Sequence, residues 1–357
     1  MKLAPPFFVC RSSSLWAERP RLTWEDPMTP HTRGWPRMLA AVTVTLVSMC
    51  WIAPATRAED NAPAKTTDAA QNAAKDAAKS MRSEMIQIEY VPPKNPAHQV
   101  AYKMVQERGS LEMMRKVFNA LRLPEPVLIR TIGCDGVSNA WYERVDKRPT
   151  LSICYEYLVE IWQAMPKETN AAGVTAGDAV IGQLFFALAH EFGHAVFDIF
   201  DIPVFGREED AADQFATYVM LQVGADAAHR LVFGAAFSYR EFVKNYKQKP
   251  NVSLPLLAFS SDHGSPEQRF YNLLCLAYGY DDKLFADVLQ KEYLPQTRAK
   301  NCRYEYGVLR YAFRQLIVPH LDMDIAKQVM ASKWLDDAES RPQALRDTAS
   351  SIRIRAK

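Results

Sequence analysis

The sequence predicts an α+β domain, with a small mixed or antiparallel sheet in its first half and a mostly helical second half. Three observations carry this expectation. Short β-branched or alternating apolar segments cluster between residues 85 and 155. An apolar stretch over residues 179–199 is too long for a strand. From there to about Trp334 the apolar residues recur mostly at helical spacing.

The elements follow in order. Ile86, Ile88 and Tyr90 alternate as in a strand, which Pro92-Pro93 ends. Val100, Met104, Met113, Met114, Val117 and Leu121 predict a helix over residues 97–121, with Gly109 as a point of interruption. Its methionines read as packing surface. Pro126–Ile132 is a second strand. Asn139–Glu143 and Thr150–Tyr155 form a hairpin across the polar turn Val145–Pro149. The long apolar helix stops at Asp201-Ile202-Pro203, Gly206 helps the chain turn back, and a further helix runs over Arg207–Val223. A loop is expected at Ser260–Pro266.

Composition is that of a globular protein, 48% hydrophobic and 24% charged, with a formal net charge of +2. Seven Lys/Arg against three Asp/Glu in residues 1–58 leave the rest of the chain slightly acidic. Without a basic run there is no electrostatic case for nucleic acid. Arg33 and Arg37, the apolar run Met38–Ile52 and the small residues Ala53–Ala58 form the three parts of an export leader. Residues 1–58 are read as that leader, with cleavage after Ala58 or Ala55 and Met28 as an alternative start. The alternative is an uncleaved N-terminal anchor. Residues 59–83, rich in Ala, Lys and Asp, read as a flexible tether, residues 84–336 as one domain and residues 337–357 as a polar tail. The expected location is periplasmic or secreted.

With Cys10 and Cys50 in the leader, Cys134, Cys154, Cys275 and Cys302 remain, and none forms a Cys-x-x-Cys pair. Pairing Cys134 with Cys154 and Cys275 with Cys302 closes two local loops between neighbouring elements. The alternative is four buried free thiols.

The chemistry sits in His190-Glu191-Phe192-Gly193-His194. Residues four apart on a helix share a face, so both imidazoles can hold one ion, and Glu191 beside them can take a proton from water. A catalytic zinc takes three protein ligands and an open position. Glu209, on the returning helix, can be the third, with Asp213 fixing the tautomer of a ligand histidine. Glu208 or Asp213 as the ligand is the alternative. Ala211 and Ala212 leave room for the two helices to approach. His98, His229 and His320 are isolated and take no role.

HEFGH followed by Glu209-Asp-Ala-Ala-Asp213 resembles the gluzincin arrangement of thermolysin-like and CAAX-type zinc peptidases. The stretch Cys134–Tyr306 resembles a bacterial family of exported metallopeptidases. It contains Asn139-Ala140-Trp141-Tyr142, Cys154-Tyr155-Glu156, Asp262–Gly279 and Cys302. The resemblance implies a zincin-like fold with an active-site helix, one zinc per chain, and an edge strand where Asn139, Ala140 and Trp141 hold a peptide backbone. Asp262-His263 with Arg269 resembles the His-Pro…Arg stretch of the CAAX-type enzymes, with Gly264 in place of the proline. It gives His263 an oxyanion-stabilising role. A loop histidine capping the following helix is the alternative, and Tyr142, Tyr271 and Arg269 are other donors.

The activity implied is peptide-bond hydrolysis with Glu191 as general base, acting on a peptide or unfolded protein. Nucleic acid is not an expected partner, and a membrane is one only through an uncleaved N-terminal segment. A non-catalytic zinc-containing envelope scaffold or peptide-binding module, and a zinc amidase acting on cell-wall peptide, are the other readings.

Overall fold

The alternating segments form a four-stranded mixed sheet in the order β1-β2-β4-β3. Its strands are β1 (Ile86–Tyr90), β2 (Val127–Ile132), β3 (Ala140–Val145) and β4 (Arg148–Cys154). β1 and β4 run parallel to β2, and β3 runs antiparallel to β4 at the edge. This computed structural model describes residues 85–163, 175–247 and 261–332. The expected leader, tether and polar tail, and the outermost residues of the expected domain, lie outside the described residues.

Side chains alternate between the faces of a strand. Ile86, Val127, Ile129, Ala140, Leu151 and Ile153 therefore share one face, and all are buried in the core. On the other face Thr150 and Ser152 are buried beneath a polar cover. Arg130 Nε donates to Ser152 Oγ at 2.9 Å, and the Trp141 indole donates to Glu143 at 2.8 Å. The hairpin differs from the expected one. Its turn is only Asp146-Lys147, both at positive φ (48° and 69°), the backbone that twists with the strands. Pro149 is inside β4, opposite Arg144, and precedes the first β4 residue paired with β2, Thr150. Its missing N–H thus costs the β2 ladder nothing.

The longer helices are α1 (Gln99–Glu107), α2 (Ser110–Phe118), α3 (Tyr155–Gln163), α4 (Ala176–Ile199), α5 (Glu208–Met220), α6 (Ala225–Lys247), α7 (Pro266–Tyr280), α8 (Cys302–Leu316) and α9 (Met323–Ala331). The helix expected over residues 97–121 is two helices, because Gly109 takes φ +57° between them. Helix α3 was not expected. Tyr155 opens it rather than ending the strand, and its hydroxyl donates to the Val91 carbonyl at 2.6 Å.

Helix α4 is the centre of the molecule, with residues 182–196 all buried. Its span Gly177–Ile199 is long and apolar enough to cross a membrane, but 83% of its most apolar window is buried inside the protein. It is a core helix. Phe192 stacks on Phe118 of α2 with centroids 3.8 Å apart. It starts three residues earlier than expected, because Thr175 and Asp178 form a capping box at its N-terminus. Arg230 of α6 pairs with Asp178 at 2.8 Å. It ends at the expected place, where Asp201 takes φ 48° and the Ile202 amide returns to the Phe197 carbonyl at 2.9 Å.

Two close approaches set the neighbours of α4. A Cβ on Gly182 would stand 2.5 Å from the Leu231 carbonyl, and one on Gly234 would collide with the Asp178 carbonyl, so α4 and α6 cross backbone to backbone. A Cβ on Gly193 would stand 3.3–3.4 Å from Phe215 and Ala212 of α5. Of the two alanines expected to make room there, Ala212 faces Gly193 and is fully buried, while Ala211 is half-buried. The cysteines pair as expected, Cys134 with Cys154 and Cys275 with Cys302.

Helix propensity favours alanine over glycine by about 1 kcal/mol, whereas overpacking against fixed backbone costs about 1–3 kcal/mol or more. Gly234→Ala should therefore destabilise the protein by about 2 kcal/mol. Gly307→Ala, at an exposed site in α8 with nothing within 4 Å, should stabilise it by just under about 1 kcal/mol. Urea unfolding of the two variants measures both, and equal shifts of the same sign would refute the close crossing.

Burial pushes the Asp178 carboxyl up, but hydrogen bonds from Thr175 and the charge of Arg230 hold it below its ordinary value of 3.8. A folded pKa below the unfolded one means that its contribution is complete above the unfolded value and disappears as pH falls through the folded one. Asp178→Asn should cost about 1–2 kcal/mol near neutral pH. The gap to the parent should close in strong acid. A gap that does not begin to narrow in urea titrations as pH falls below the ordinary value of 3.8 would contradict the depressed pKa.

Candidate metal centre

The site is assembled by α4, α5 and the loop before α7. His190 and His194 lie one turn apart on α4, and their Nε2 atoms are 3.2 Å apart. Glu209, in the first turn of α5, places Oε2 at 3.0 Å from His190 Nε2 and 3.4 Å from His194 Nε2. Bonds of about 2.0–2.1 Å to a tetrahedral ion separate the ligand atoms by roughly 3.3–3.4 Å. The three separations, 3.0–3.4 Å, are close to that size, and His263 Nε2, 2.7 Å from the same Glu209 oxygen, is a fourth donor atom at the centre. Two imidazoles and one carboxylate are also a donor set suited to zinc.

The outer nitrogens are held as well. His190 Nδ1 lies 2.8 Å from Asp213 Oδ1, and His194 Nδ1 lies 2.8 Å from Glu208 Oε1. A carboxylate on Nδ1 keeps a proton there, so Nε2 is the nitrogen that can bind an ion once it gives up its own proton. Asp213 is itself gripped by both arms of Arg269 at 2.8 and 2.6 Å. That guanidinium lies over the rings of Tyr239 and Phe186 at 5.1 and 5.7 Å.

His190, Glu191, His194, Glu209 and His263 are each only 3–8% exposed. Burial alone would hold His194 down, but Glu208 and Glu209 raise it to about 10. His190 is raised in the same way by Asp213 and Glu209 against the effect of burial. Burial raises carboxyl pKa values, yet Glu209 falls well below the usual range because three histidines bond to it. Asp213 falls likewise, chiefly through the Arg269 charge. Glu191 goes the other way, because burial is its largest influence and pushes it up. Its Oε2 is buried and has no hydrogen-bond partner among the described residues. A carboxylate oxygen in that condition costs several kcal/mol, of order 1–3 or more, unless a further group satisfies it.

His263 enters from the loop before α7. Its Nε2 lies 2.7 Å from Glu209 Oε2, its ring stacks near His190 with centroids 5.6 Å apart, and its Nδ1 is 3.1 Å from Asp262. It does not cap α7. Ser265 and Gln268 form that capping box, and the helix begins at Pro266. The other suggested donors are occupied or distant in role: Arg269 holds Asp213, the Tyr142 hydroxyl donates to Asp198 at 2.6 Å, and Tyr271 is exposed.

Asn139, Ala140 and Trp141 belong to the edge of the sheet, not to the cluster. The Asn139 carbonyl accepts from the Cys154 amide at 3.0 Å, and Ala140 pairs with Ile153. β3 packs against α4, and its outer edge has no strand beside it among the described residues. A groove of about 380 Å³ next to the centre is lined by Asp213, Arg269, Leu273, Leu276, Tyr304 and Val308, but by none of the three converging donors. The sequence reading missed the contact of Glu208 with His194. The run Arg207-Glu208-Glu209-Asp210 was its signal, but which carboxylate meets which nitrogen depends on the angle between two helices.

No curated protein and no solved structure matches the chain. A family model, DUF4344, described as "Putative metallopeptidase", matches residues 90–317. The matched stretch takes in strands β2 to β4, the histidine helix, Glu209 and His263. Matched over well more than half of its length, the chain belongs to this metallopeptidase family.

Proposed function

We propose that the protein is an exported zinc peptidase of the gluzincin type. One observation carries the reading: the donor atoms of His190, His194 and Glu209 converge at close to the spacing of a zinc site, beside a buried Glu191 oxygen that has no partner among the described residues. His190, His194 and Glu209 would hold the ion. Asp213 and Glu208 would orient the two imidazoles. Zinc, when bound there, supplies Lewis acidity that acidifies water and polarises a carbonyl.

The protein's own groups do the rest. Glu191 accepts the proton of the attacking water at Oε2 and passes it to the leaving nitrogen, so that water adds across the peptide bond and no charge is lost or gained. His263 Nε2 donates to the oxygen of the attacked carbonyl, where negative charge develops. The peptide lies as an added strand along the outer edge of β3, with its backbone held beside Asn139, Ala140 and Trp141. A purely structural zinc would leave Glu191 without purpose, which weighs against a scaffold. The two disulfides fit an oxidising compartment and support export.

Purified parent protein should carry about one zinc per chain, and His190→Ala should lose it. Glu191→Gln should keep zinc and lower hydrolysis of an unfolded protein substrate by about 10²–10⁴-fold. Stoichiometric metal in His190→Ala, or parental activity in Glu191→Gln, would sink the assignment. The two glutamates of α5 should separate in a zinc competition assay. Glu208→Ala should weaken zinc by about 10–100-fold, as for an outer partner of a ligand, and Glu209→Ala by more. The reverse order would make Glu208 the ligand.

A further inference from the structure

His190, His194 and Asp198 recur at intervals of four and so lie along one stripe of α4. The third is not among the metal's candidate partners. Asp198 Oδ2 accepts from the Tyr142 hydroxyl and from Arg144 Nε, both at 2.6 Å. Tyr142 and Arg144 are alternate residues of β3 and share the face that also bears Ala140. The rest of the Arg144 guanidinium reaches Glu125 at 2.8 and 3.1 Å and the Lys147 carbonyl at 3.0 Å. Two carboxylates thus fix one guanidinium, and the clamp is only partly exposed, at 21% for Arg144 and 29% for Asp198. Burial and the Asp198 carboxylate push the Tyr142 hydroxyl well above the usual range, so it stays a donor.

The ladder to β4 fixes β3 within the sheet, but it does not fix the sheet's edge against the metal helix. The clamp does. It stands one helical turn from His194, about 6 Å along α4, and two residues from Ala140, about 7 Å along β3. We propose that Asp198 is a positioning residue: by holding Tyr142 and Arg144 it sets the spacing between the strand that receives the peptide and the helix that carries the metal. This rests on the strand-addition reading above. An error of about 1 Å in such a spacing can cost up to 10²-fold.

The test uses zinc-loaded protein and two ligands measured by calorimetry. Acetohydroxamate reaches only the metal, whereas a tetrapeptidyl hydroxamate also needs the strand edge. Asp198→Asn keeps size and an acceptor for Tyr142 but gives up the charge facing Arg144, and Tyr142→Phe removes one donor and leaves the ion pair. Asp198→Asn should weaken the peptidyl compound by roughly tenfold or more, leaving acetohydroxamate affinity and zinc content unchanged. Tyr142→Phe should shift the peptidyl compound less, in the same direction. If both variants bind both compounds as the parent does, or lose both in parallel, the positioning role is wrong. If the parent itself gains nothing from the peptidyl part, strand addition falls and takes the clamp's purpose with it.

Discussion

Helix α4 buries three ionisable side chains within a turn and a half, among phenylalanines and leucines, and the rest of the structure answers that burden. An unpaired charge in such surroundings would cost several kcal/mol or neutralise itself, with pKa shifts of up to about 3–5 units. Each histidine therefore has its own carboxylate on Nδ1 and shares a third on Nε2. Asp213, introduced to serve His190, is itself buried and calls in Arg269 from α7. Arg269 in turn is sheltered by the faces of Tyr239 and Phe186. The chain of compensation stops at Glu191, whose Oε2 has no partner among the described residues. The other groups of the cluster are paired, and that oxygen is the exception.

Such compensation requires short reach, and glycine supplies it. A carboxylate side chain extends only a few ångströms, so α5 must lie almost against α4 for Glu208, Glu209 and Asp213 all to meet the histidines. Gly193, inside the motif, lets Ala212 and Phe215 come that close. Gly182 and Gly234 do the same between α4 and α6, where Arg230 reaches the Asp178 that caps α4. Those glycines sacrifice helix propensity, about 1 kcal/mol each, for backbone contact that a side chain would prevent.

What the sequence disclosed follows the range over which each interaction acts. The motif helix, its stop at Asp201, the strands and both cysteine pairings were legible because they depend on local periodicity, turn residues or short loop closure. The pairing of Asp213 with a histidine of the motif was legible from the spacing of Glu209 and Asp213 on one helix. The partnership of Glu208 with His194 was not, since it depends on how α5 is rotated against α4. Nor was the Asp198 clamp, because it joins residues 54 and 56 positions apart on a strand and a helix whose relative placement no spacing encodes. Helix α3 escaped because Tyr155, Tyr157, Val159, Ile161 and Trp162 are poor helix formers in isolation. Tertiary burial of Tyr155, Tyr157, Leu158 and Ile161 overrides that preference.

The elements outside the α4–α5 core are where the covalent links fall. Cys134–Cys154 ties the loop entering β3 to the end of β4, and the Glu156 carboxylate accepts from the amides of Cys134 and Gly136 at 2.9–3.1 Å in the same loop. Ser138, just before the edge strand, bonds Glu160 one turn further along α3. On the other side, Cys275–Cys302 joins α7, which carries Arg269 and follows the His263 loop, to α8. A helix packed as closely as α4 opens only with the whole protein, whereas a sheet edge and a surface loop can open locally at small cost. Cross-links that close loops of this length remove open states worth about 3 kcal/mol. They stand at the two peripheral elements that must hold still relative to α4 if the edge strand and His263 are to act on the same bond.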